Sequence, residues 1–210
     1  MIQVKQLSKK FGTKTIFENA SLCLEEGHIY GFVGENGIGK SVFFKTISGL
    51  MAPTSGTIIC NGKVIGKDID YLEHPGYMDG DVNFINYLTG FENLKILASI
   101  RSLIDDNTIK QFMSQFGLDP DNTAPVKNYS LGMKQKLSII QAVMENPDTL
   151  IFDEPFNGLD KQSCAFIKDY ILKLKDSRKT VLLTSHILND IEEIADIVYE
   201  FHNGTIQQRQ

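Results

Sequence analysis

The octapeptide Gly34-Glu35-Asn36-Gly37-Ile38-Gly39-Lys40-Ser41 constrains this chain more than any other segment. It fills every fixed position of the pattern GxxxxGK[ST]. Glycines so placed let the backbone curl until several N–H groups face one centre. A helix starting there turns its positive end toward the same centre. The flanks agree: residues 28–33 read as a buried strand, and residues 41–48 as a helix with Phe43, Phe44 and Ile47 inward. Strand, loop and helix in this order form a phosphate cradle. Lys40 would reach the β- and γ-phosphates of a nucleotide and the Ser41 hydroxyl would ligate Mg²⁺, with Val42 next in the same turn.

The rest of the chain alternates short apolar runs with amphipathic stretches, the mark of an α/β fold. Residues 2–7 and 15–24 read as two strands around a turn at Phe11-Gly12. Residues 57–60 are a strand closing on the Asn61-Gly62 hairpin turn, and residues 69–72 a further short strand. From about residue 89 to 116 the pattern is helical. Residues 133–144 carry apolar side chains on one helical face, residues 161–174 on another, and 149–152 and 180–183 have strand length. The last strand is expected at 197–201.

A second acidic signal follows the apolar run Leu150-Ile151-Phe152, where Asp153 and Glu154 stand side by side. Parallel sheets gather ligands at the carboxyl ends of their strands, so Asp153 can sit beside the phosphate loop and hold Mg²⁺. Glu154, facing differently, could orient or deprotonate an attacking water.

Between these two motifs lies Tyr129-Ser130-Leu131-Gly132-Met133-Lys134-Gln135-Lys136. It resembles the signature of ABC transporter ATP-binding subunits, LSGGQ followed by a basic helix start. Further landmarks stand in that family's order: Phe11 as the A-loop aromatic, Glu73 at the Q-loop position, Gly158-Leu159-Asp160 as the D-loop and Ser185-His186 as the H-loop. The segments 71–76 and 88–94 and the SLGMKQ form of the signature look like the branch that exports lantibiotics and other peptide antibiotics.

The resemblance implies one ABC ATP-binding domain over residues 1–210. It would have a mostly parallel core sheet, an N-terminal antiparallel β subdomain and a helical subdomain inserted at about 76–145. It further implies ATP and Mg²⁺ as ligands, with hydrolysis coupled to transport. Two copies, or a pseudo-dimer, would hold ATP between the phosphate loop of one and Ser130 to Gly132 of the other. Phe11 would stack on adenine, Asp160 would bridge the dimer, His186 would contact γ-phosphate, and Glu73 would touch Mg²⁺ or water. Some of Tyr77, Met78, Phe84, Tyr87 and Phe91 would line a groove for a membrane permease subunit.

Composition fits these expectations. The net charge of -5 argues against a nucleic-acid partner, which calls for a basic face. No apolar run reaches the roughly 18 residues of a membrane span, so the expected place is cytoplasmic, against the inner face of the membrane through the permease. A soluble ATPase of the same family, acting on ribosomes or DNA, is the alternative reading. Cys23, Cys60 and Cys164 form no metal or disulfide pattern and read as reduced thiols.

Overall fold

A computed structural model describes residues 1–80 and 83–209. The amino-terminal hairpin joins β1 (Ile2–Phe11) to β2 (Lys14–Leu24). On its other edge β1 takes β4 (Ser55–Cys60), and β4 turns through Asn61-Gly62 into β5 (Lys63–Val64). The result is a four-stranded antiparallel sheet in the order β2-β1-β4-β5.

The second sheet has six strands. β3 (Ile29–Val33) lies between β8 (Thr180–Ser185) and β9 (Ile197–His202); beyond β8 come β7 (Thr149–Phe152) and β6 (Gly76–Met78). All five run parallel, and β10 (Thr205–Gln208) closes the other edge antiparallel to β9. β3 and β8 are buried along their whole length. Strands covered on both faces read as unbroken apolar runs, which is the sequence pattern seen here.

Successive side chains of a strand point to opposite faces, so the central strands feed two cores. Tyr30, Phe32, Ile151 and Leu182 join the hairpin residues Leu7, Phe17 and Leu24 and the helix α1 (Lys40–Ile47). Ile29, Val33, Leu150, Phe152, Val181 and Leu183 face the other way, toward the remaining helices. These are α2 (Gly90–Arg101), α3 (Asp106–Gln115), α4 (Leu131–Val143), α5 (Lys161–Asp176) and the short α6 (Leu188–Glu192). Four of them start on a side chain that accepts an orphan backbone N–H. Thr89 does so in a reciprocal capping box with Glu92, and Asp105, Ser130 and Asp160 cap α3, α4 and α5.

Three expectations change. Residues 69–72 form no strand, only the isolated bridge between Ile65 and Ile69. Leu72 is apolar because it is buried beneath the end of α1, its N–H bonded to the Ser48 carbonyl at 2.9 Å. The edge strand is instead β6, so residues 76–78 belong to the core sheet and not to the helical layer. The chain also continues past the strand expected last, into β10.

Candidate active site

The phosphate-type loop connects β3 to α1, and the backbone turns there because glycine permits it. Gly39 has φ 120°, and a Cβ on it would stand 2.5 Å from Ile16 Cγ2. No side chain caps α1, so the amides of its first turn are left to an outside acceptor. Lys40 folds back over the loop with only 5% exposure. Its Nζ donates to the Gly34 carbonyl at 2.7 Å and the Glu35 carbonyl at 3.3 Å, and pairs with Glu154 Oε1 at 3.0 Å.

Parallel registration explains why distant residues meet here. Val33 is level with Ser185, and Phe152 with Leu183, so β3, β7 and β8 end together. Asp153 and Glu154 leave β7 beside Thr184, Ser185 and His186 leaving β8. Asp153 is buried, with Oδ1 accepting the Thr184 hydroxyl at 2.7 Å. Its Oδ2 is equally buried and lacks a hydrogen bond. Burial pushes the Asp153 carboxyl above its usual range, the neighbouring Ser41 and Thr184 hydroxyls pull it down, and the charges of Glu154 and Asp79 push it further up.

Glu154 is held from several sides. Its backbone has φ 52°, a left-handed conformation sustained by two hydrogen bonds. Its N–H donates to Thr184 Oγ1 at 2.8 Å, and its carbonyl accepts from Gln135 Nε2 of α4 at 2.8 Å. Its Oε2 accepts the His186 backbone N–H at 3.3 Å and lies 2.9 Å from the His186 ring Nδ1. One carboxylate thus joins Lys40 to His186. Thr184 and Gln135 escaped the sequence reading; a hydroxyl ending the apolar run Val181-Leu182-Leu183 was the available signal for Thr184.

Ser130, Gly132 and Asp160 assemble elsewhere. With Leu131, Lys136 and Gly158 they line a cavity of about 470 Å³ that residues 34–41 do not touch. Ser130 accepts the Met133 N–H at 3.2 Å, and Asp160 accepts the Ser163 N–H at 2.7 Å. The Ser163 backbone and then its hydroxyl hold the Asp160 carboxyl below its usual range. Phe11, at the end of β1, is 48% exposed, with the Lys9 ammonium 4.9 Å from its ring centroid.

Glu73 must be corrected as a contact for metal or water. It precedes β6, which runs parallel to β7, so it lies at the amino end of the sheet while Asp153 lies at the carboxyl end. It is exposed and pairs with Lys63 at 2.7 Å, and it shares a cavity with Asn146, Pro147 and Asp148. The hydrogen bond from Lys63, then its charge, holds the Glu73 carboxyl low. The side chain that leaves the right end of β6 is Asp79, paired with Lys45 of α1 at 2.9 Å. Of the aromatic stretch that follows, Met78 is core, Tyr87 is exposed, and Tyr77 and Phe84 line a cavity of about 300 Å³ with Leu50, Asp79 and Gln141. Among the described residues, no helix is long and apolar enough to cross a membrane.

The family model described as ABC transporter matches residues 17–157. The chain is 39% identical over 207 residues to the uncharacterized ABC transporter ATP-binding protein YybJ of Bacillus subtilis (strain 168), covering 99% of this chain and 95% of that protein. It is 35% identical to the bacitracin transport ATP-binding protein BcrA of Enterococcus faecalis, covering 97% of this chain and 67% of that one. A solved ATP-binding subunit of an ABC transporter superposes with a TM-score of 0.88 at 28% identity, covering all of this chain and 90% of the other.

Proposed function

The chain belongs to the ABC transporter family, and from that premise we propose that it hydrolyses ATP to power a membrane exporter of peptide antibiotics or similar amphipathic molecules. One observation carries the reading. A cationic loop, an acidic pair and a histidine, drawn from three segments, converge where β3, β7 and β8 end together. The relative named for bacitracin transport supports the cargo class.

The residues divide the chemistry. Lys40 and the first-turn amides of α1 take the phosphates, stabilising charge on the transferring group. Asp153, with its unpartnered buried Oδ2, and the Ser41 hydroxyl form a set of hard oxygens that suits Mg²⁺. When bound, Mg²⁺ would neutralise phosphate charge there. Glu154 orients the attacking water and accepts its proton, while His186 holds the Glu154 carboxylate in place. Phe11 offers an exposed ring to the adenine.

The cavity at Ser130 and Gly132 stands apart from Lys40, so one chain presents two half-sites. We assign the completion of each to a second copy, whose signature turn covers the phosphates held by the first. γ-Phosphate charge draws the copies together and its loss releases them. Asp160 belongs to the same surface. A permease partner would dock at the cavity of Tyr77, Phe84 and Leu50, holding the subunit at the inner membrane face.

Steady-state phosphate release tests this. Lys40→Ala and Glu154→Gln should each lower turnover by about a hundredfold or more. Turnover equal to the parent in either variant would refute the assignment.

A further inference from the structure

Lys40 is already engaged by the protein itself. Its ammonium donates to the Gly34 carbonyl at 2.7 Å and the Glu35 carbonyl at 3.3 Å, and it forms an ion pair with Glu154 Oε1 at 3.0 Å, an oxygen that has no hydrogen bond of its own. A phosphate oxygen that pairs with this nitrogen competes with Glu154 for the same charge. The two carbonyls are backbone groups of the loop. The carboxylate is carried on a side chain that rotates, so it is the group that gives way.

We propose that Glu154 is an internal competitor for the phosphate site, so that nucleotide binding is an exchange of one anion for another at Lys40. This rests on the reading of residues 34–41 as the phosphate site. The exchange is electrostatically level. Lys40 and Glu154 are only 5% and 14% exposed, and stripping the partner from a buried cation is strongly unfavourable. The entering phosphate replaces the charge that the carboxylate withdraws.

The exchange also arms the site. Glu154 Oε2 keeps its contacts to the His186 N–H at 3.3 Å and ring Nδ1 at 2.9 Å, and the Glu154 backbone is pinned by Thr184 and Gln135. The displaced Oε1 therefore pivots about a fixed point and becomes an open acceptor beside the phosphates, where a water must be held. Until a phosphate arrives, the group that orients water is occupied. Binding and readiness for hydrolysis are one event.

Titration calorimetry with ADP in EDTA, where neither Mg²⁺ nor turnover intervenes, tests the exchange on the full chain. Glu154→Gln, which weakens the contact, should bind ADP about three- to tenfold more tightly than the parent. Glu154→Asp, which keeps the charge but shortens the side chain by one methylene, should also bind more tightly. In a Lys40→Ala background neither substitution should change ADP affinity further, as a double-mutant cycle requires of a contact made through Lys40. ADP affinity in Glu154→Gln equal to or weaker than the parent's, or an equal gain with and without Lys40, would overturn the exchange. So would Glu154→Asp matching the parent while Glu154→Gln gains, since net charge alone would then explain the effect. ADP binding by Lys40→Ala as tight as by the parent would instead overturn the phosphate-site reading beneath it.

Discussion

One hydroxyl organises the acidic pair. Thr184 Oγ1 donates to Asp153 Oδ1 at 2.7 Å and accepts the Glu154 N–H at 2.8 Å. Thr184→Val keeps the shape and strands both partners, so it should lower stability by about 2–4 kcal/mol, read from urea unfolding, with turnover falling as well. Thr184→Ser should restore most of both. A valine variant within about 0.5 kcal/mol of the parent would show that the hydroxyl is dispensable. A second residue links the fold to pH. Burial would raise the Asp196 carboxyl, but the Ile29 N–H at 2.9 Å and the Lys175 ammonium outweigh it, and the group stays below its ordinary 3.8. A depressed acid stabilises the native state above its unfolded value, and that contribution disappears as pH falls through the lower native one. Asp196→Ala should therefore be less stable at neutral pH, with a flatter loss of stability on acidification below about pH 4. Denaturant midpoints across pH check this; parallel curves would count against it.

At the scale of elements, β6 and α4 touch at backbone distance. A Cβ on Gly76 would stand 2.0 Å from the Ala142 carbonyl oxygen. Gly76→Ala must push strand and helix apart, at about 1–3 kcal/mol, and should shift α4, whose Gln135 holds the Glu154 backbone. Chemical denaturation and phosphate release should both register it; a silent substitution would mean that the two elements yield freely. The same strand shows where sequence reading loses its hold. The central strands announce themselves because burial on both faces demands continuous apolar runs. β6 is three residues, Gly-Tyr-Met after a proline, too short for any period to show. The stronger apolar signal at Leu72 serves packing in the core beside α1, and Glu73, which follows it, stands at the other end of the sheet from Asp153. β10 is Thr-Ile-Gln-Gln, an edge strand with one buried side chain, and was equally faint. The phosphate loop and acidic pair were legible because their spacing is fixed by backbone chemistry. Gln135 and Thr184 were not, because tertiary contact alone gives them their roles.

At the scale of the whole molecule, the proposed pairing of two copies implies a dimer surface around Ser130 to Gly132. Leu131, 60% exposed between Ser130 and Gly132, would be covered when a second copy closes over ATP. In a Glu154→Gln background that cannot turn over, adding ATP should shift the parent to dimer on size exclusion. Leu131→Glu should abolish that shift while leaving nucleotide binding by the monomer within about twofold, since a like charge would meet the phosphates. A dimer that persists would remove this surface from the interface.

One of the two cores gathers residues from opposite ends of the chain: Ile2, Val4 and Leu24 pack in the same cluster as Tyr199, Phe201 and Ile206. The Glu18 N–H even bonds to the Gly204 carbonyl at 2.8 Å. Contacts this distant along the chain form late, because the intervening loop must be closed first. During synthesis on a ribosome the β1–β2 hairpin can pack early against Phe32, Phe43, Phe44 and Ile58, but the part of its apolar face that meets Tyr199, Phe201 and Ile206 waits until those residues have been made. Such an interval is when chaperones are needed and when neighbouring nascent chains can aggregate.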